Sequence, residues 1–97
     1  MIDAGDIHLA DLNEEPRRRV LVLSNRQFNQ MARRVIVAPE LFGAPDEVPF
    51  PWRIQFGDAV FAIDLVRSLP EHRILDAVGR VPADAMRVAR QALLHIT

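Results

Sequence analysis

The sequence predicts a small fold that is mainly β with some α. It would be a compact antiparallel barrel or strongly curved sheet, with a short helix after strand 2 and a C-terminal amphipathic helix. Three observations predict it. Short aliphatic runs recur along the chain, most of them stopped by Pro, Gly or Ser. Gly57-Asp58, a turn signal, separates two apolar segments. Near the C-terminus, apolar residues instead recur at three and four positions. At 97 residues and 49% hydrophobic content the chain can bury one core, which is read as one domain over 1–97.

Residues 6–12, DIHLADL, alternate and predict a first strand. NEEPRR at 13–18 holds a proline and five polar residues, so it is a connection. RVLVL at 19–23 is a dense aliphatic run, as expected of a strand covered on both faces. Ser24-Asn25-Arg26-Gln27 has the form of a capping box, with Ser24 as cap and Gln27 reaching back. A helix of about two turns then follows, with Phe28 and Met31 three residues apart. RVIVA at 34–38 is the third strand, ended by Pro39. Residues 39–51 hold four prolines and a glycine, a loop and the expected place for mobility.

WRIQF (52–56) and AVFAI (59–63) flank the Gly57-Asp58 turn and form a hairpin. Residues 64–69 continue as a strand to Pro70, and 73–81 form a last strand around Gly79. Pro82 suits the first turn of a helix. Within 83–96, Ala85, Met86, Ala89, Ala92, Leu93 and Ile96 make one apolar face, and His95 points to solvent or a partner.

The inventory excludes much chemistry. There is no cysteine, lysine or tyrosine, and the one threonine is Thr97. Disulfides, thiol nucleophiles, lysine Schiff bases and P-loops are therefore ruled out. The missing cysteines suit a reducing, cytoplasmic setting. His8, His72 and His95 stand far apart, so no metal is expected, and no cofactor motif is present. No apolar run approaches a membrane span, and the acidic start does not read as a signal peptide.

The net charge is −1, but its distribution is uneven. Residues 16–39 carry Arg17, Arg18, Arg19, Arg26, Arg33 and Arg34 with no acid, half of all basic residues. Folded onto one face they would make a local positive field; otherwise they form a solvated surface paired with the N-terminal acids. Glu14 and Glu15 stand beside Arg17–Arg19. Arginine presents a planar fork matched to phosphate oxygens, and a neighbouring carboxylate can accept a proton. RNA brings its own nucleophile, the 2′-hydroxyl, so cleaving it needs only positioning, charge stabilisation and proton transfer.

The order of motifs resembles the MazF/PemK family of toxins. Gly5-Asp6-Ile7-His8-Leu9, Arg18-Arg19-Val20-Leu21-Val22-Leu23-Ser24-Asn25, Phe28-Asn29 and Val35-Ile36-Val37-Ala38-Pro39 match its first half. Asp64–Leu69, Arg73-Ile74-Leu75, Val78–Val81 and the terminal helix match its second. The resemblance implies an SH3-like or CcdB-like antiparallel β-barrel, usually a homodimer, that cleaves single-stranded RNA without metal and is held by a cognate antitoxin protein. The family's arginine falls on Arg18. It would stabilise the charge developing on phosphate and donate a proton to the leaving oxygen, with Glu14 or Glu15 as base or positioner. Arg17, Arg19, Arg26, Arg33 and Arg34 would hold the RNA backbone. Trp52 would stack on a base or sit as a core residue at the barrel edge. Arg19 replaces the family's proline, and Leu41, by spacing, its threonine or serine. The same scaffold therefore also admits a non-catalytic toxin of the CcdB kind. The C-terminal His95-Ile96-Thr97 lacks the bulky tail of gyrase-poisoning members.

Overall fold

The computed structural model describes residues 1–42 and 50–97. The expected mobility of 39–51 falls largely outside them. Among the described residues, seven strands and two α-helices run in the order β1 (Asp6–Ala10), β2 (Arg18–Val22), α1 (Arg26–Ala32), β3 (Arg34–Pro39), β4 (Arg53–Phe56), β5 (Ala59–Ala62), β6 (Arg67–Pro70), β7 (Ile74–Arg80) and α2 (Ala83–Ile96). Five strands form one antiparallel sheet ordered β6-β3-β2-β1-β7, and β4 and β5 form a separate hairpin. The antiparallel architecture with a closing helix is the one expected. Among the described residues the large sheet leaves β6 and β7 as its edges.

Side chains alternate across β2 and fill two cores. Leu21 joins Ile7, Ala38, Phe61, Ile63, Met86 and Ala89 beneath the hairpin and α2. Val20 and Val22 join Ala10, Val35, Val37 and Leu69 on the other face. The aliphatic runs of β2 and β3 are thus covered on both sides, as their composition requires. The hairpin is tied to the sheet by a Glu40–Phe61 bridge and by the Leu41 amide donating to the Val60 carbonyl at 2.8 Å. At the start of β1, Gly5 has φ +94° and lies against Met86, where an added Cβ would come within 3.3 Å of Cγ.

Two local expectations are corrected. The N-cap of α1 is Asn25, whose side chain accepts from the Phe28 amide at 2.9 Å. Ser24 instead fastens α1 to β3, because its hydroxyl accepts from the Ile36 amide at 2.9 Å and donates to Asn29 Oδ1. Phe28 and Met31 are exposed, and Asn29 is the buried residue of α1, its side-chain amide donating to the carbonyls of Ile2 and Ser24.

The second correction concerns 64–69. Ile63–Leu65 form a single 3₁₀ turn, and the strand starts only at Arg67. Asp64 is pulled out of any ladder by Arg53, whose Nε and Nη2 donate to its carboxylate at 2.7 and 2.9 Å. In α2, Met86, Ala89 and Ala92 are buried as the period predicts, while Ile96 and His95 are exposed.

Candidate functional site

The six arginines of 16–39 do not share a face. β2 and β3 run antiparallel with α1 between them, so the chain travels the length of the sheet and back. Arg17, Arg18 and Arg19 lie where β2 begins. Arg26, Arg33 and Arg34 lie where it ends, roughly 20 Å of strand away. Arg26 pairs with Asp3 at 3.7 Å, Arg34 hydrogen-bonds Ser68, and Arg33 caps α1 with φ 53°.

At the near end the three neighbours are held differently, although Arg18 and Arg19 both contact Glu40. Arg17 pairs with Asp11 at 2.7 Å. The Asn13 amide, followed by the pull of Arg17, holds the Asp11 carboxyl below its usual range. Arg19 points to the opposite face from Arg18. Its Nε and Nη2 grip the buried carboxylate of Glu40 at 2.9–3.1 Å, and its Nη1 reaches Asp58 at 3.0 Å. Glu40 first, then Asp58, raises Arg19 above the ordinary arginine range. This pair knots β2, the end of β3 and the β4–β5 turn together, and leaves Arg19 few donors for a ligand. The cleft beside it, about 170 Å³, is lined by Arg19, Ile7, Phe56, Phe61 and Val78, not by Arg18.

Arg18 is held differently. Its Nη1 donates to the Glu40 carbonyl at 3.1 Å, and its Nε lies 2.9 Å from Glu14 Oε1. That carboxylate contact is an ion pair without hydrogen-bond alignment, so Nε has no true hydrogen-bond acceptor among the described residues. The guanidinium sits over the Phe42 ring, 4.4 Å from its centroid. The side chain is 20% exposed. A guanidinium has five N–H donors, and the Glu40 carbonyl takes one. Both donors of Nη2 and one of Nη1 have no partner among the described residues, a set that matches two phosphate oxygens. Glu14, half-exposed, is the carboxylate within reach, while Glu15 is exposed and makes no ion pair among the described residues. Leu41 brings no hydroxyl to this end.

Trp52 takes the barrel-edge core position considered for it. It packs against the hairpin core and stacks on Phe50, with centroids 5.1 Å apart and planes 12° from parallel.

A family model described as "PemK-like, MazF-like toxin of type II toxin-antitoxin system" matches residues 3–97. The chain belongs to this family. Solved structures share its fold. An endoribonuclease bound to its cognate antitoxin from a mycobacterial species superposes with TM-score 0.83 at 18% identity, over 98% of this chain and 93% of that one. A MazE-MazF complex from Deinococcus radiodurans (Form-II) gives 0.82 at 24% identity, with coverages of 98% and 93%. Another crystal form of that complex (Form-I) gives 0.77 at 27% identity, with coverages of 98% and 94%. No curated protein matches the sequence. In this MazF-like toxin no described helix is long and apolar enough to cross a membrane.

Several residues of the site carried no sequence signal. Phe42 meets Arg18 only because β3 ends beside the start of β2. Arg73 lies by the same loop: its carbonyl accepts from the Asp11 amide at 2.9 Å. With the Asn13 amide oriented to satisfy both its ends, Oδ1 accepts from Arg73 Nη1 at 2.8 Å. Asn13 itself has φ 62°, a conformation asparagine tolerates better than most residues.

Arg53, the neighbour of Trp52 in sequence, forms an ion pair with Asp64 that depends on pH. The Arg53 hydrogen bonds hold the Asp64 carboxyl below its usual range. A folded pKa below the unfolded one contributes stability above about pH 4, which is lost as pH falls through the folded value. Asp64→Asn removes this contribution. Its melting temperature should therefore fall less than the parent's between about pH 5 and pH 3. Parallel curves for the two proteins would show that the pair contributes nothing.

Proposed function

We propose that this toxin is a metal-independent endoribonuclease that cuts single-stranded RNA, with Arg18 as its charge-stabilising residue. The observation that carries the reading is the Arg18 fork, held in place beside the Glu14 carboxylate with three donors that have no partner among the described residues. Glu14 takes the proton of the 2′-hydroxyl, whose oxygen attacks phosphorus. Arg18 binds the non-bridging oxygens as charge builds on them. The bond to the 5′-oxygen breaks as Arg18 gives that oxygen a proton, a 2′,3′-cyclic phosphate remains, and the proton taken up by Glu14, 2.9 Å from Arg18 Nε, restores the guanidinium. Glu15 stays the alternative base, on the same loop.

Arg17, the next residue along the same loop, adds a backbone contact. Trp52 and Phe50 offer an aromatic stack for an unpaired base. Arg19, occupied by Glu40 and Asp58, holds the platform beneath. Arg26, Arg33 and Arg34 touch only an RNA long enough to run along the sheet. The toxin would work in the cytoplasm as a homodimer, bound and silenced by a cognate antitoxin. The cysteine-free sequence and the exposed apolar residues Leu65, Leu75, Val78 and Leu94 support this.

The test is incubation of the purified chain with a long mixed-sequence RNA in excess chelator, followed by mapping of new ends. Recurrent cuts at one sequence, with 5′-hydroxyl ends, are expected. The absence of ends at any sequence would favour a non-catalytic toxin, a reading that the aliphatic Leu41 also suits.

A further inference from the structure

We propose that Phe42 is a positioning residue for Arg18, fixing the plane of its guanidinium. The inference rests on Arg18 being the catalytic group. Three contacts define the fork. The Glu40 carbonyl and the Glu14 carboxylate touch it at Nη1 and Nε, and the Phe42 ring supports the guanidinium from beneath. The two polar contacts alone leave the group free to tilt. A ring 4.4 Å from the guanidinium carbon opposes tilting through the attraction of a cation for an aromatic face. Both Nη2 donors, without a partner among the described residues, are then held in one plane for a phosphate.

Burial does not account for this phenylalanine. It is 50% exposed and belongs to neither core. Its cationic partner among the described residues is Arg18. Glu40 and Phe42, two residues apart, thus supply an edge contact and a face contact to the same group. An exposed side chain also makes a clean test, since shortening it removes little core.

The experiment uses the full chain and an oligonucleotide spanning whichever junction the parent protein cuts. Phe42→Leu should lower kcat about tenfold, keep KM within about twofold and leave the melting temperature nearly unchanged. Phe42→Trp, which restores an aromatic face, should return kcat to within about threefold of the parent. Phe42→Met provides the same comparison should the leucine variant melt early. Parental kcat in the leucine and methionine variants overturns the inference. So does a loss confined to KM, because the ring would then touch RNA rather than Arg18. Cleavage that depends on Arg18 but not on Phe42 removes only this inference. Cleavage that survives Arg18→Ala removes the reading of the site and this inference with it.

Discussion

Arg18→Ala should lower the cleavage rate by about 10²–10³-fold, the usual loss when one preorganised donor to a developing oxyanion is removed. The fold should survive. Arg18 belongs to neither apolar core, and two of its three partners, Glu14 and Phe42, are exposed and regain water once it is gone, while the Glu40 carbonyl loses a single hydrogen bond. Arg18→Lys should recover little, because an ammonium cannot contact the Glu40 carbonyl, lie flat on Phe42 and offer two parallel donors at once. Arg34→Ala, at the far end of the sheet where β3 begins, provides the contrast. It should leave the rate on a short oligonucleotide nearly unchanged. Equal losses from the two alanine variants would mean that general positive charge, not the held fork, drives the reaction.

Phe61→Ala should cost about 3–5 kcal/mol, the loss expected for deleting a fully buried aromatic ring. Phe61 is 0% exposed and fills the space between the hairpin, the sheet and α2. It also pairs with Ile54 within the hairpin and bridges to Glu40. Removing it therefore loosens the element that seats both Arg19 and the end of β3. For a chain this size the melting temperature should fall by more than about 12 °C. Met31→Ala, at a side chain 80% exposed, should shift stability by less than about 0.5 kcal/mol. Comparable losses in both variants, by calorimetry, would contradict the placement of the core.

What could be read from the sequence followed from periodicity. β2 and β3 announce themselves because a strand covered on both faces needs aliphatic residues at every position, and α2 because its buried positions repeat at three and four. The expected cap of α1, Ser24, falls one residue early, because Ser24 and Asn25 can both cap and only the distant Ile36 amide decides which one is free to do so. The 3₁₀ turn at Ile63–Leu65 was hidden for a similar reason. Asp64 turns outward for Arg53, eleven residues earlier, and apolar alternation does not record such a partner.

The arginine cluster shows the limit for function. Six like charges within 24 residues look like one patch in a linear count, yet antiparallel pairing of β2 and β3 sends three to each end of the sheet. Arg18 and Arg19 are adjacent in sequence but face opposite sides of a strand. One meets a carbonyl and a ring, the other a buried carboxylate. The sequence named Arg18 through its likeness to a family. The division of labour between the two arginines needed coordinates.

The most direct test is to bind the cut RNA sequence with a 2′-deoxy sugar at the scissile position, which removes the nucleophile, and follow the arginine Nε–H and backbone amide signals by NMR. The account predicts shifts at Arg18 and its contacts Glu14 and Phe42, with Arg26, Arg33 and Arg34 unmoved on a short oligonucleotide. Shifts confined to the Arg26–Arg34 end, with Arg18 silent, would contradict it.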